Sequence, residues 1–73
     1  MSDNSLQINV GQQIQKLRES KGLSQQDLAA KCNFEKSNMS RLEAGRVNAT
    51  LSTLEKVTNA LQVTLAELFT FQE

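Results

Sequence analysis

The chain has 73 residues, with eight Lys and Arg balanced by eight Asp and Glu, no His and a single Cys. So short a chain forms one domain, buries only about 60% of its unfolded surface, and gains stability from self-association. One cysteine excludes an internal disulfide, the lack of His argues against an N/S metal site, and no apolar run nears the roughly 18 residues of a membrane span.

No signal-peptide pattern opens the chain, so the expectation is a cytoplasmic protein with no membrane partner and no cofactor. The neutral total hides a dipole. Between Lys16 and Arg46 seven basic residues face four acids, whereas the remainder sets Lys56 against Asp3, Glu55, Glu67 and Glu73. That division suits one surface turned toward phosphate and another toward a partner subunit.

Residues 1–7 are polar and without periodicity, which predicts a flexible arm ahead of a domain over residues 8–73. The first helix starts at Ile8 or Val10, with Val10, Ile14 and Leu17 on one face, and stops at Lys21-Gly22. Arg18 adjoins that face, so its partly desolvated head group needs an acid. Ser24 is then a strong N-cap, Asp27 completes a Ser-x-x-Asp capping box, and Leu23 with Leu28 forms a hydrophobic staple. A helix over residues 25–31 follows. Cys32 falls at an apolar-periodic position and reads as a small core residue, and Ala29 and Ala30 allow a close helix crossing.

Asn33 sits where the chain turns sharply, in a conformation that Gly and, less readily, Asn adopt cheaply. A second helix over residues 36–44 puts Met39 and Leu42 on one face, and Gly45 stops it. Two helices on so tight a turn, over residues 24–45, have the form of a helix-turn-helix, whose second helix enters the major groove of DNA. Gln25, at the start of the first of them, can meet a phosphate oxygen with its backbone N–H and its side-chain amide. Arg46 and Asn48, in the loop after the second helix, are further phosphate candidates, with a base or the minor groove as the alternative for Arg46.

Thr50 caps a helix whose stripe is Leu51, Leu54, Val57 and Leu61. Residues 62–63 make another tight connection. Thr64 and Glu67 form a second capping box, Val63 and Leu68 a second staple, and the last helix carries Leu65, Leu68 and Phe69. There is no strand-like alternation, Pro-rich linker or repeat. The expected class is all-α, five short helices in a compact domain.

From about Val10 to Phe69 the chain resembles the lambda-repressor-like helix-turn-helix family, the phage-repressor/Cro type of bacterial regulator. The resemblance is carried by LSQQDLAAKC, NMSRLEAG and LSTLEKVTNALQVTLAELF. Its length is that of stand-alone members such as restriction–modification controller proteins and small antitoxin-like regulators. Three positions depart from the pattern. Asn33 replaces the turn glycine, Glu35 replaces the Ser or Thr that caps the second helix, and Ala49 stands where the following loop often has proline.

The resemblance implies a sequence-specific transcriptional regulator that binds a palindromic operator in double-stranded DNA as a homodimer. It places Lys36, Ser37, Asn38, Ser40 and Arg41 against base edges, and their chemistry agrees. Lys and Arg donate to guanine O6 and N7, and Asn pairs with adenine. Arg41 is the residue assigned to guanine, its alternatives being a phosphate or an acid on its own surface. The resemblance also pairs Arg18 with Glu43, tying the first helix to the end of the reading helix. Leu65 and Phe71 are the surface candidates for the dimer interface, with Phe69 in the core. The competing reading is an antitoxin-like module that neutralises a partner protein. An enzyme is disfavoured, since no His, carboxylate pair or Gly-rich phosphate loop is present.

Overall fold

The computed structural model describes residues 5–71. Its regular elements are all helices: α1 (Ser5–Ser20), α2 (Gln25–Cys32), α3 (Lys36–Glu43), α4 (Leu51–Leu61) and α5 (Leu65–Leu68). α1 begins at Ser5, ahead of the expected Ile8 or Val10, so residues 5–7 belong to its first turn and not to an arm. Leu6 stands four residues before Val10 and extends that helix face by one turn. The rest of the expected arm, residues 1–4, lies outside the described residues.

The helix boundaries follow local chemistry. At α2 the Asp27 N–H donates to Ser24 Oγ at 3.0 Å and the Ser24 N–H donates back to Asp27 Oδ2 at 3.0 Å. At α5 the Glu67 N–H donates to Thr64 Oγ1 at 3.0 Å, while the Thr64 N–H reaches Glu67 Oε1 at 3.1 Å. Thr50 caps α4 by accepting from the Thr53 N–H. Asn33 takes the expected left-handed conformation (φ 60°, ψ 38°) and ends α2. Gln62 does the same after α4 (φ 60°, ψ 43°), although its longer side chain gives it no local hydrogen-bonding excuse for that region. α3 ends at Glu43, with Ala44 as its cap residue, one residue short of the expected span.

The apolar faces converge on one core of Val10, Ile14, Leu28, Met39, Val57, Leu61 and Leu68 with their neighbours. α3 packs against both α1 and α2, and α4 closes the core beneath α2 and beside α5. Ala29 is the alanine that faces the crossing; Ala30 is exposed. Cys32 is buried as expected, its thiol 3.8 Å from the Lys56 carbonyl oxygen, and burial pushes the thiol pKa up. Two stripe assignments need correction. Leu51 is 73% exposed, because it opens α4 at the edge of the buried stripe. Phe69 is 41% exposed, whereas Phe71 is half-buried against the core. α5 stops at Leu68, so the helical period does not carry beyond it.

Gly11 sets how close α1 comes to α3. A methyl group there would lie 2.5 Å from the Glu43 carbonyl oxygen and 2.6 Å from that of Leu42. Gly45 meets two demands together: its φ is +77°, and a Cβ would stand 2.7 Å from Ile8 Cα. Two residues further along α1 from Gly11, the Gln13 amide donates to the Glu67 carbonyl at 2.9 Å and to that of Thr70 at 3.1 Å. One side chain thereby ties α1 to carbonyls at the end of α5 and just beyond it, adding to the Thr70 N–H that the Glu67 carbonyl already accepts.

Candidate nucleic-acid interface

α3 has two chemically distinct sides. Met39, Leu42 and Glu43 are buried, while Lys36, Ser37, Asn38, Ser40 and Arg41 are all exposed. Lys36 and Ser40 are four residues apart, as are Ser37 and Arg41, so each pair stacks one turn above the other on the outward surface. Arg41 forms no ion pair among the described residues; the alternative in which it binds an acid of its own surface is not realised. Asn38 and Arg41 border a cleft of about 300 Å³ floored by Phe34, Leu42 and Val47, with Thr53 of α4 on its far wall.

Behind α3, the Arg18–Glu43 pair is present and more deeply buried than the edge position of Arg18 implied. Arg18 Nε donates to Glu43 Oε2 at 2.7 Å and its Nη2 donates to Oε1 at 3.1 Å, a bidentate arrangement. Arg18 Nη1 also donates to the Leu23 carbonyl at 2.7 Å. Arg18 is 8% exposed and Glu43 5%. The hydrogen bonds to Glu43 hold the Arg18 guanidinium charged, its pKa raised despite the opposing desolvation.

The same carboxylate engages a third group. Gln25 Nε2 donates to Glu43 Oε1 at 3.0 Å, and the Gln25 side chain is half-buried. Its amide is therefore not wholly free for phosphate, as the sequence reading had it; one amide N–H and the backbone N–H remain. Since the first-turn N–H groups of a helix have no acceptor within it, the Gln25 and Gln26 backbones still present donors there. Arg46 and Asn48 are exposed in the loop between α3 and α4, and the Arg46 N–H closes the end of α3 on the Arg41 carbonyl at 3.0 Å.

The proposed dimer residues fare differently. Leu65 is 36% exposed, whereas Phe71 is half-buried against the core and offers less surface than the sequence implies. Phe69 is the more exposed of the two phenylalanines. It lines a shallow apolar groove with Leu6 and Leu51, two side chains that the sequence reading left out of the interface. Leu6 belongs to α1 and not to an arm, and Leu51 stands at the exposed edge of α4, which places both along this groove. Among the described residues no three His, Cys, Asp or Glu side chains gather where they could hold a metal ion, and no helix is long and apolar enough to cross a membrane.

Comparison with known proteins agrees with this architecture. The helix-turn-helix domain model matches residues 9–70. Control protein C.MunI of Mycoplasma sp is 39% identical over 67 residues, covering 90% of each chain. The immunity repressor protein of Bacillus phage phi105 is 38% identical over 61 residues, covering 84% of this chain and 42% of its own. The crystal structure of the restriction–modification controller protein C.AhdI from Aeromonas hydrophila superposes with a TM-score of 0.86 at 34% identity, covering 89% of this chain and 98% of that one. The chain belongs to the helix-turn-helix family of DNA-binding transcriptional regulators.

Proposed function

We propose that this regulator binds a palindromic operator as a homodimer in the cytoplasm, with α3 of each subunit in the major groove and half-sites about one helical turn apart. The observation that carries this reading is the two-sided α3. Five polar or basic side chains stand outward on a helix whose opposite side is clamped by Arg18, Gln25 and the core. Lys36, Ser37, Asn38, Ser40 and Arg41 read bases; Gln25, Arg46 and Asn48 hold phosphates on either side. Dimerisation uses Leu65 and Phe69, one turn apart, together with Leu51 and Leu6 across the groove that Phe69 shares with them. Exposed apolar side chains on this side can meet their own copies about a two-fold axis.

Relatives named as control proteins and as an immunity repressor support a regulatory role over the antitoxin-like alternative. Titration of labelled DNA at two salt concentrations separates them. Binding that weakens steeply with salt supports the operator reading, and Arg46→Ala then lowers affinity for all sequences alike and reduces the salt slope by about 1. Arg41→Ala relaxes preference at one base position by about 1–3 kcal/mol. Absence of DNA binding, alongside salt-insensitive capture of a protein partner, would reverse the assignment.

A further inference from the structure

The basic half of the chain contains four acids, and three of them are already engaged. Glu43 holds Arg18 and Gln25, Asp27 closes the α2 capping box, and Glu19 accepts from Gln15 at 3.3 Å and lies 3.9 Å from Arg18. Glu35 is the fourth. Its side chain is exposed and makes no hydrogen bond or ion pair among the described residues, not even the N-cap bond its position invites. Its backbone, by contrast, is fixed. The Glu35 carbonyl accepts from the Asn38 and Met39 N–H groups at 3.0 and 3.1 Å, and the preceding Phe34 N–H is tied to the Ala29 carbonyl at 2.8 Å. An unpartnered carboxylate thus leaves a rigid root directly ahead of Lys36 and Ser37.

On a surface that approaches DNA, this carboxylate is unfavourable in general, because every phosphate repels it. One class of contact offsets that repulsion: a base amino group donating to it in the major groove. Cytosine presents N4–H₂ there with no acceptor on the same base edge, whereas adenine flanks its N6–H₂ with the N7 acceptor, which repels a carboxylate. We propose that Glu35 is a specificity residue that selects a cytosine in each half-site, accepting from its N4 amino group and penalising other bases at that position. The inference rests on the operator reading above.

The experiment is selection of bound fragments from a random DNA pool by the full chain, run in parallel on the wild type, Glu35→Ala and Glu35→Gln. The wild type should favour cytosine about tenfold at one position per half-site. Glu35→Ala should lose that preference, keep preferences elsewhere, and bind non-specific DNA more tightly. Glu35→Gln, nearly the same shape but uncharged, should move the preference toward adenine, which a carboxamide can pair bidentately. Circular dichroism of each variant establishes that the overall helix content is retained. A wild-type palindrome without the cytosine, or one whose cytosine survives Glu35→Ala, overturns this inference alone. Recovery of no DNA by the wild type overturns the operator reading and this inference with it.

Discussion

Replacing Glu43 by alanine tests the clamp behind α3. The change removes the acceptor of two Arg18 hydrogen bonds, at 2.7 and 3.1 Å, and of the Gln25 bond at 3.0 Å. Arg18, 8% exposed, keeps only the Leu23 carbonyl and a distant contact with the exposed Glu19. Leaving a buried charge without its partner costs about 3–5 kcal/mol. A 73-residue domain has a total stability of only about 4–11 kcal/mol. Urea denaturation followed by helical circular dichroism should therefore show Glu43→Ala largely or wholly destabilised. The companion Arg18→Met/Glu43→Leu replaces both charges with apolar groups and should recover most of the loss, since a buried pair is worth little against well-packed hydrophobic residues. A loss below about 1 kcal/mol for Glu43→Ala would mean that the pair behaves like a surface ion pair, and the clamp argument would fail. DNA affinity gives a second readout. The double variant should fold yet bind more weakly, because Gln25 has lost its anchor and α3 its fixed rotation.

Four further outcomes follow from single features. Gly11→Ala should destabilise the fold by more than 2 kcal/mol on the order expected for overpacking, because the added methyl meets rigid backbone carbonyls; thermal melting checks it. Gln62→Gly should be neutral or stabilising by up to about 1 kcal/mol, and should help more than Asn33→Gly, since Asn already tolerates the left-handed region that both residues occupy. Cys32 should react with a thiol reagent far more slowly in the native protein than in denaturant, as its burial raises the thiol pKa and blocks access. The Ser24 hydrogen bonds hold the Asp27 carboxyl below its usual range. Its contribution is thus complete above the unfolded value of about 3.9 and lost as pH falls through the lower folded value; Asp27→Asn should flatten the acid limb of a stability–pH curve.

The helix-turn-helix was legible because its signals are local. Ser24 and Asp27 are three residues apart, and Asn33 announces its own backbone conformation; neither depends on distant parts of the chain. What escaped the sequence reading depends on tertiary geometry. Gln13 reaches carbonyls 54 and 57 residues away, and no periodicity in α1 marks it. Gly11 reads in sequence as a weak helix residue, and only the approach of α3 explains it. The exposure of Phe69 and the partial burial of Phe71 depend on where α5 stops, at Leu68, and on how the residues after it fold back on the core. The reading-helix residues were legible in pattern, yet Gln25 carried two chemically sensible partners, phosphate and carboxylate, and only the fold put Glu43 within 3.0 Å.

The division of polar and apolar contacts also explains why so small a helix can be held in a defined orientation. α3 has eight residues, too few to be stable alone, and its buried apolar contribution is only Met39 and Leu42. Two apolar side chains leave rotation about the helix axis weakly specified, since non-directional packing tolerates small turns. Glu43 supplies the missing direction, because a bidentate guanidinium contact fixes both distance and plane. Gly11 adds a second constraint at the same end, letting the α1 backbone lie directly against the Leu42 and Glu43 carbonyls. All of this holds the C-terminal end of α3, whereas Glu35 leaves the N-terminal end without a side-chain cap. That end is held by backbone alone, through the Glu35 carbonyl and the Phe34 N–H, so Lys36 and Ser37 stand outward from a fixed root with their side chains uncommitted.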